Sequence, residues 1–139
     1  MTKTVLIVED EADVRIFLST VLMANGYRAL VASDAETGLE LARAERPDLI
    51  SLDVMMPKQS GLSLYLELCR DTDLARIPVV LVTGLAQHGQ FNFRDQVPDT
   101  SVPEPARVLE KPVTAPQYLE LVASLTTSSD SENQGEGNG

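Results

Sequence analysis

The chain has 139 residues, 43% of them hydrophobic, and its 21 Asp and Glu against 11 Lys and Arg leave a net charge of −10. No stretch reaches the ~18 consecutive apolar residues of a membrane span, and the opening MTKTVLIVED has too short an apolar run, and no small-residue cleavage site, for a secretory signal. A single cysteine and a single histidine exclude a disulfide framework, a Cys-rich zinc site and a His-based metal cluster, and the charge sets the chain against direct nucleic-acid binding.

Along the chain, short apolar blocks alternate with helix-like stretches. Thr4 to Val8 is a β-branched run ending in Glu9-Asp10, the pattern of a strand buried on both faces. Glu11 to Asn25 places Val14, Phe17, Leu18, Val21 and Leu22 on one helical stripe, and Gly26 supplies a left-handed stop. Tyr27 to Ala32 is a second strand. Ser33 and Glu36 form a capping-box pair that opens a helix through about Glu45, with Pro47 just beyond. Asp48 to Asp53 is a third strand, and Met55 to Ser60 a loop containing Pro57. A helix follows over Gly61 to Asp71, with Leu62, Tyr65, Leu66 and Cys69 on its expected inner face. Ile77 to Thr83 is a fourth strand and Val108 to Glu110 a brief fifth. Thr114 and Gln117 cap a last helix carrying Tyr118, Leu121, Val122 and Leu125. Between the last two strands, Leu85 to Arg107 shows little periodicity. A short helix near Gln87 to Asp95, anchored by Phe91 and Phe93, is followed by loop over Val97 to Arg107.

Such alternation predicts βαβ crossovers and a parallel sheet covered on both sides, with the functional crevice at the carboxyl ends of the strands. Those ends carry Glu9-Asp10, Asp53, Thr83-Gly84 and Lys111. Three carboxylates in one crevice repel each other unless something neutralises them. An oxygen-ligated hard cation, Mg²⁺ above all, is the usual solution. With Lys111 and Thr83 at the same edge, the parts needed for phosphoryl transfer are together: a carboxylate nucleophile, a metal, a lysine and a hydroxyl.

These residues strongly resemble the response-regulator receiver domain of two-component signalling. The match is carried by Val5 to Glu11 after the first strand, Asp53 to Pro57 with Gly61 eight residues beyond the aspartate, Val79 to Gly84, and Lys111-Pro112. The resemblance implies a flavodoxin-like α/β sandwich, its five-stranded parallel sheet ordered 2-1-3-4-5. It implies that Asp53 accepts a phosphoryl group from a phosphohistidine donor. Asp10, Asp53 and the backbone carbonyl of Met55 then bind Mg²⁺, and Glu9, in place of the more usual aspartate, reaches the ion through water. Thr83 is expected to hydrogen-bond the phosphoryl oxygen and Lys111 to pair with it. Pro112 is expected to follow a cis peptide bond, and Gly84 to leave room beside the phosphate.

The chain also departs from that family. Where a Tyr or Phe usually lies three residues before the lysine stands Val108, and the span from Thr83 to Lys111 is longer than usual. The expectation is retained site chemistry with a rebuilt output face in the segment Leu85 to Arg107. His88, Phe91 and Phe93 invite a binding-surface reading, but Phe91 and Phe93 are expected instead to cover the sheet edge, and Cys69 to be a buried apolar residue of the third helix. Residues 126–139, TTSSDSENQGEGNG, have no apolar side chain large enough to pack and are expected to form a polar, disordered tail behind a domain of residues 1–125. The chain then reads as a stand-alone cytoplasmic switch. It takes its phosphoryl group from a histidine kinase or a histidine phosphotransfer protein and signals by contact with a downstream protein, without membrane insertion. The rivals are a phosphorylation-independent scaffold of the same fold and a Mg²⁺-dependent aspartyl phosphohydrolase. The second is disfavoured because Met55 stands where such enzymes carry a second aspartate.

Overall fold

The computed structural model describes residues 2–84 and 91–138. Five strands, β1 (Thr4–Val8), β2 (Arg28–Ala32), β3 (Leu49–Asp53), β4 (Val79–Thr83) and β5 (Arg107–Glu110), form one parallel sheet of order β2-β1-β3-β4-β5. The helices are α1 (Ala12–Ala24), α2 (Ala35–Glu45), α3 (Ser60–Arg70), α4 (Phe93–Gln96) and α5 (Ala115–Asn138). This is the flavodoxin-like order expected.

The strands read as continuous apolar runs because both sheet faces are covered. Val5, Ile7, Leu49, Val80, Val82 and Leu109 pack with Leu18 and Leu22 of α1 and with Tyr118, Leu121 and Val122 of α5. Leu6, Val8, Ile50, Leu52, Val79 and Leu81 pack on the other side with Ala42 of α2 and Leu64, Tyr65 and Leu68 of α3. Among the described residues, no helix is long and apolar enough to cross a membrane.

Several local expectations shift. Gly26 takes φ +88°, the left-handed stop anticipated for α1. Phe17, expected on the inner stripe of α1, is 43% exposed, because the buried seam of that helix is narrowed to Leu18 and Leu22. The cap of α2 is Asp34, not Ser33: its carboxylate accepts the Thr37 amide at 2.8 Å, which holds the Asp34 pKa below the ordinary carboxylate value. At α5 the Thr114 half of the expected capping pair is present, the Gln117 backbone amide donating to Thr114 Oγ1 at 3.3 Å. The inner face of α3 is Gly61, Leu64, Tyr65 and Leu68, so Leu62, Leu66 and Cys69 lie at its margin, half-buried.

The segment before β5 follows the expected division in its described part. Helix α4 is a single turn, and 97–106 is irregular. Phe93 is buried edge-on against Tyr65, with ring centres 5.4 Å apart. Phe91 is half-buried beside the same core. His88 and the start of the expected short helix lie outside the described residues. The loop is pinned from two sides. Arg94 donates to the carbonyls of Val97, Asp99 and Val102 at 3.3, 2.8 and 2.7 Å, and Tyr65 donates to that of Pro103 at 2.6 Å.

At the other end, Thr126 belongs with the packed part of α5. It is buried, and its hydroxyl donates to the Val122 carbonyl at 2.8 Å. Beyond it the backbone stays helical through Asn138, where the composition led us to expect a tail.

Candidate functional site

In this strand order the chain reverses direction across the sheet between β1 and β3, which opens a crevice at their carboxyl ends. The ladder continues one step past β1, where the Glu9 amide donates to the Ala32 carbonyl at 3.0 Å. That step turns the Glu9 side chain inward, leaving the residue 1% exposed. Asp10, the next residue, stays exposed at the rim. The Glu11 amide then donates to Glu9 Oε2 at 3.2 Å as the chain enters α1.

Asp53 ends β3 and is 1% exposed. Its Oδ1 accepts the Met55 amide at 2.8 Å, which fixes one oxygen and leaves Oδ2 toward Lys111. Helix α3 approaches this turn closely at Gly61. Any Cβ there would run into the Asp53 carbonyl oxygen and the Val54 Cα, so only glycine fits. Thr83, at the end of β4, is 0% exposed, and its carbonyl accepts the Lys111 amide at 2.7 Å. That bond ties the lysine-bearing turn to the strand next to Asp53. The Lys111–Pro112 peptide is cis, as expected. Gly84 leaves ordinary contact space toward Lys111 and Met55.

The charges converge on Lys111. Its Nζ lies 2.9 Å from Glu11 Oε1, 3.2 Å from Glu9 Oε1 and 3.5 Å from Asp53 Oδ2. Burial works against the ammonium, but the hydrogen bond to Glu11 and the charges of Asp53 and Glu9 outweigh it. Together they hold the Lys111 pKa above the ordinary lysine value. Glu9 moves the other way for a carboxylate. Burial first, then the hydrogen bond to Asp53 and its charge, push Glu9 up to about 8, while the Glu11 amide and Lys111 pull it back. One lysine therefore does not neutralise the cluster.

Glu9, Asp10, Glu11 and Asp53 each bring a carboxylate oxygen within 4.8 Å of the others. Four hard oxygen donors with an excess of negative charge, two of them buried, are a donor set of the kind that Mg²⁺ takes. The structure thus brings together Glu9, Asp10, Asp53 and Lys111, with Thr83 joined to Lys111 through backbone and Met55 joined to Asp53 through its amide. Two participants were not anticipated. Glu11 follows directly on the acid pair, and that position was the available sign of it. Arg15, one turn into α1, gave no local sign, because its contacts are with backbone. Val108, which stands in the place of the family's aromatic, is 38% exposed on β5.

Residues 5–123 match the family described as the response regulator receiver domain. The polar-differentiation response regulator DivK of Brucella ovis is 34% identical over 125 residues, which cover 89% of this chain and 96% of that protein. A probable transcriptional regulator, ycf27 of Guillardia theta, is 43% identical over 81 residues, 58% of this chain but 31% of that protein, so the chain spans about a third of it. Among solved structures, chemotaxis protein CheY4 of Vibrio cholerae superposes with a TM-score of 0.77 at 22% identity, over 90% of this chain and 99% of that one. The receiver domain of sensor histidine kinase PA1611 from Pseudomonas aeruginosa PAO1 was solved with magnesium coordinated in its active-site cleft. It gives 0.76 at 21% identity, over 91% and 99% of the two chains.

Proposed function

The chain belongs to the response regulator receiver domain family, and from that premise we propose that it is a phosphorylation-dependent switch whose acceptor is Asp53. The observation that carries this reading is the buried Asp53 carboxylate at the end of the central strand, 3.5 Å from Lys111 Nζ and inside a cluster of four acids. In the step itself, an Asp53 oxygen attacks the phosphorus of a phosphohistidine. The P–N bond breaks, its electron pair leaves with the imidazole, which takes up a proton, and Asp53 becomes an acyl phosphate.

Asp10, Asp53 and the Met55 carbonyl are the residues we assign to Mg²⁺, with Glu9 held behind them through water. A bound Mg²⁺ supplies charge neutralisation at the phosphoryl oxygens. Lys111 exchanges part of its contact with Glu11 and Asp53 for the new phosphoryl oxygens, and the Thr83 hydroxyl donates to one of them. The donor is a histidine kinase or a histidine phosphotransfer protein in the cytoplasm, and the output is a contact with a target protein.

Incubation with acetyl phosphate and Mg²⁺ tests the reading by intact mass. One added phosphoryl group is expected, and it should be lost in Asp53→Asn. One observation favours a second reading, a scaffold that works without phosphorylation: Val108 leaves the output face without its aromatic. No mass gain at any Mg²⁺ concentration would decide for the scaffold, and rapid turnover of other phosphoesters would decide for an enzyme.

A further inference from the structure

Arg15 lies in the first turn of α1, where a cation opposes the positive end of the helix dipole. Helix energetics therefore give no reason for an arginine there. Its contacts do. Arg15 Nη1 donates to the carbonyl of Glu9 at 2.9 Å and to that of Asp10 at 3.1 Å. Both hydrogens of one nitrogen are spent on the backbone of the two residues that carry the buried and the rim carboxylate of the cluster. The Arg15 side chain is half-buried, and it reaches back over the start of its own helix, the direction that helical side chains favour.

The turn is also tied to the sheet by the Glu9 amide and to Lys111 by the Glu9 and Glu11 side chains. Glu11, at the N-cap of α1, makes no side-chain capping bond, and the Glu11 amide is bonded to Glu9 itself. With both carbonyls drawn toward α1, the Cα–Cβ bonds of Glu9 and Asp10 are constrained to present their carboxylates toward Asp53 and Lys111. We propose that Arg15 is a positioning residue for the cation site: its guanidinium clamps the Glu9 and Asp10 carbonyls and so sets the geometry in which the Asp10 carboxylate, and through water that of Glu9, would hold Mg²⁺. This rests on the reading of the acidic cluster as a Mg²⁺ site.

The sign of the effect separates positioning from charge. If Arg15 acted only as a nearby cation, its removal would lower the repulsion of Mg²⁺ and tighten binding. If it acts by positioning, its removal weakens binding, by about tenfold or more, as for other residues that orient metal ligands. Titration of the full chain with Mg²⁺ by calorimetry, for the unaltered protein, Arg15→Ala and Arg15→Lys, reads this directly. The expected result is a Kd raised about tenfold in Arg15→Ala and by less in Arg15→Lys, which keeps the charge and can serve one carbonyl at a time.

Phosphorylation by acetyl phosphate should show the same split. The Mg²⁺ concentration for half-maximal rate should rise, while the rate at saturating Mg²⁺ stays near that of the unaltered chain. An unchanged or tighter Kd overturns the inference, including when thermal stability falls, since a merely structural residue would lower stability alone. Should Arg15→Ala fail to fold, Arg15→Lys decides by the same criterion. Absence of Mg²⁺ binding in the unaltered chain overturns the metal reading itself, and the inference with it.

Discussion

Lys111 sits among three carboxylates, and its shortest contact, 2.9 Å, is with Glu11 rather than with Asp53. Burial of the Glu9 carboxyl, with Asp53 bonded beside it, has a consequence for stability. Its pKa in the fold, about 8, lies above the ordinary carboxylate value, so the folded state binds the Glu9 proton more tightly than the unfolded chain does. Without metal, this group's contribution is therefore fully present below the unfolded value and is lost as pH rises through the folded one. In EDTA, unfolding free energy should fall between about pH 4.5 and 8, by an amount on the order of a few kcal/mol. Saturating Mg²⁺, which binds the ionised carboxylates, should flatten that slope. Urea titrations across this range with and without Mg²⁺ check it, and a slope that Mg²⁺ leaves untouched would count against a cation shared by this cluster.

At the scale of elements, the site depends on two close fits. Gly61 lets α3 approach the end of β3, and a methyl group there meets backbone, which cannot swing away as a side chain can. Gly61→Ala should cost about 1–3 kcal/mol and, because the displaced atoms belong to Asp53 and Val54, should also slow phosphorylation by acetyl phosphate. A stability loss with unchanged phosphorylation would mean that α3 moves and the strand end does not. The second fit is the loop before β5, where one guanidinium satisfies three carbonyls. Hydrogen bonds from a charged donor are worth about 1.5–3 kcal/mol each at most sites. Arg94→Ala should then raise amide exchange across 97–106 by at least about tenfold, with β1 and β3 unaffected. Equal protection in the variant would show that Tyr65 and Phe93 suffice to hold the loop.

For the whole molecule, the described core of α5 reaches Thr126. The described core includes Tyr118, Leu121 and Val122 of α5, with Leu125 half-buried against it. The sequence beyond offers only small and polar residues, among them three acids, Asp130, Glu132 and Glu136. We propose the domain boundary there. Removal of 127–139 should change unfolding free energy by less than about 0.5 kcal/mol, the range of surface changes away from packed features, as read by urea titration. A larger loss would place these residues in the folding unit. The same boundary divides the net charge of −10 into −3 carried by Asp130, Glu132 and Glu136 and −7 carried by the rest of the chain.

The sequence by itself determined the strands, their parallel arrangement and the acids at their ends. Those follow from local information: β-branched runs, stop and cap residues, and the fact that βαβ units bring successive strand ends to one edge. Glu9, Asp10, Asp53, Thr83 and Lys111 were legible because each ends or follows a strand. Only the tertiary structure decided which way side chains turn at that edge. Periodicity constrains a helix face to within a residue or so, so α3 is rotated from its expected face, and the cap of α2 falls on Asp34 rather than Ser33. Glu11 joins the cluster through a lysine 100 positions away, and Arg15 through two backbone carbonyls. Contacts of those kinds leave no pattern in the chain, because they depend on distance in space and on groups that every residue carries.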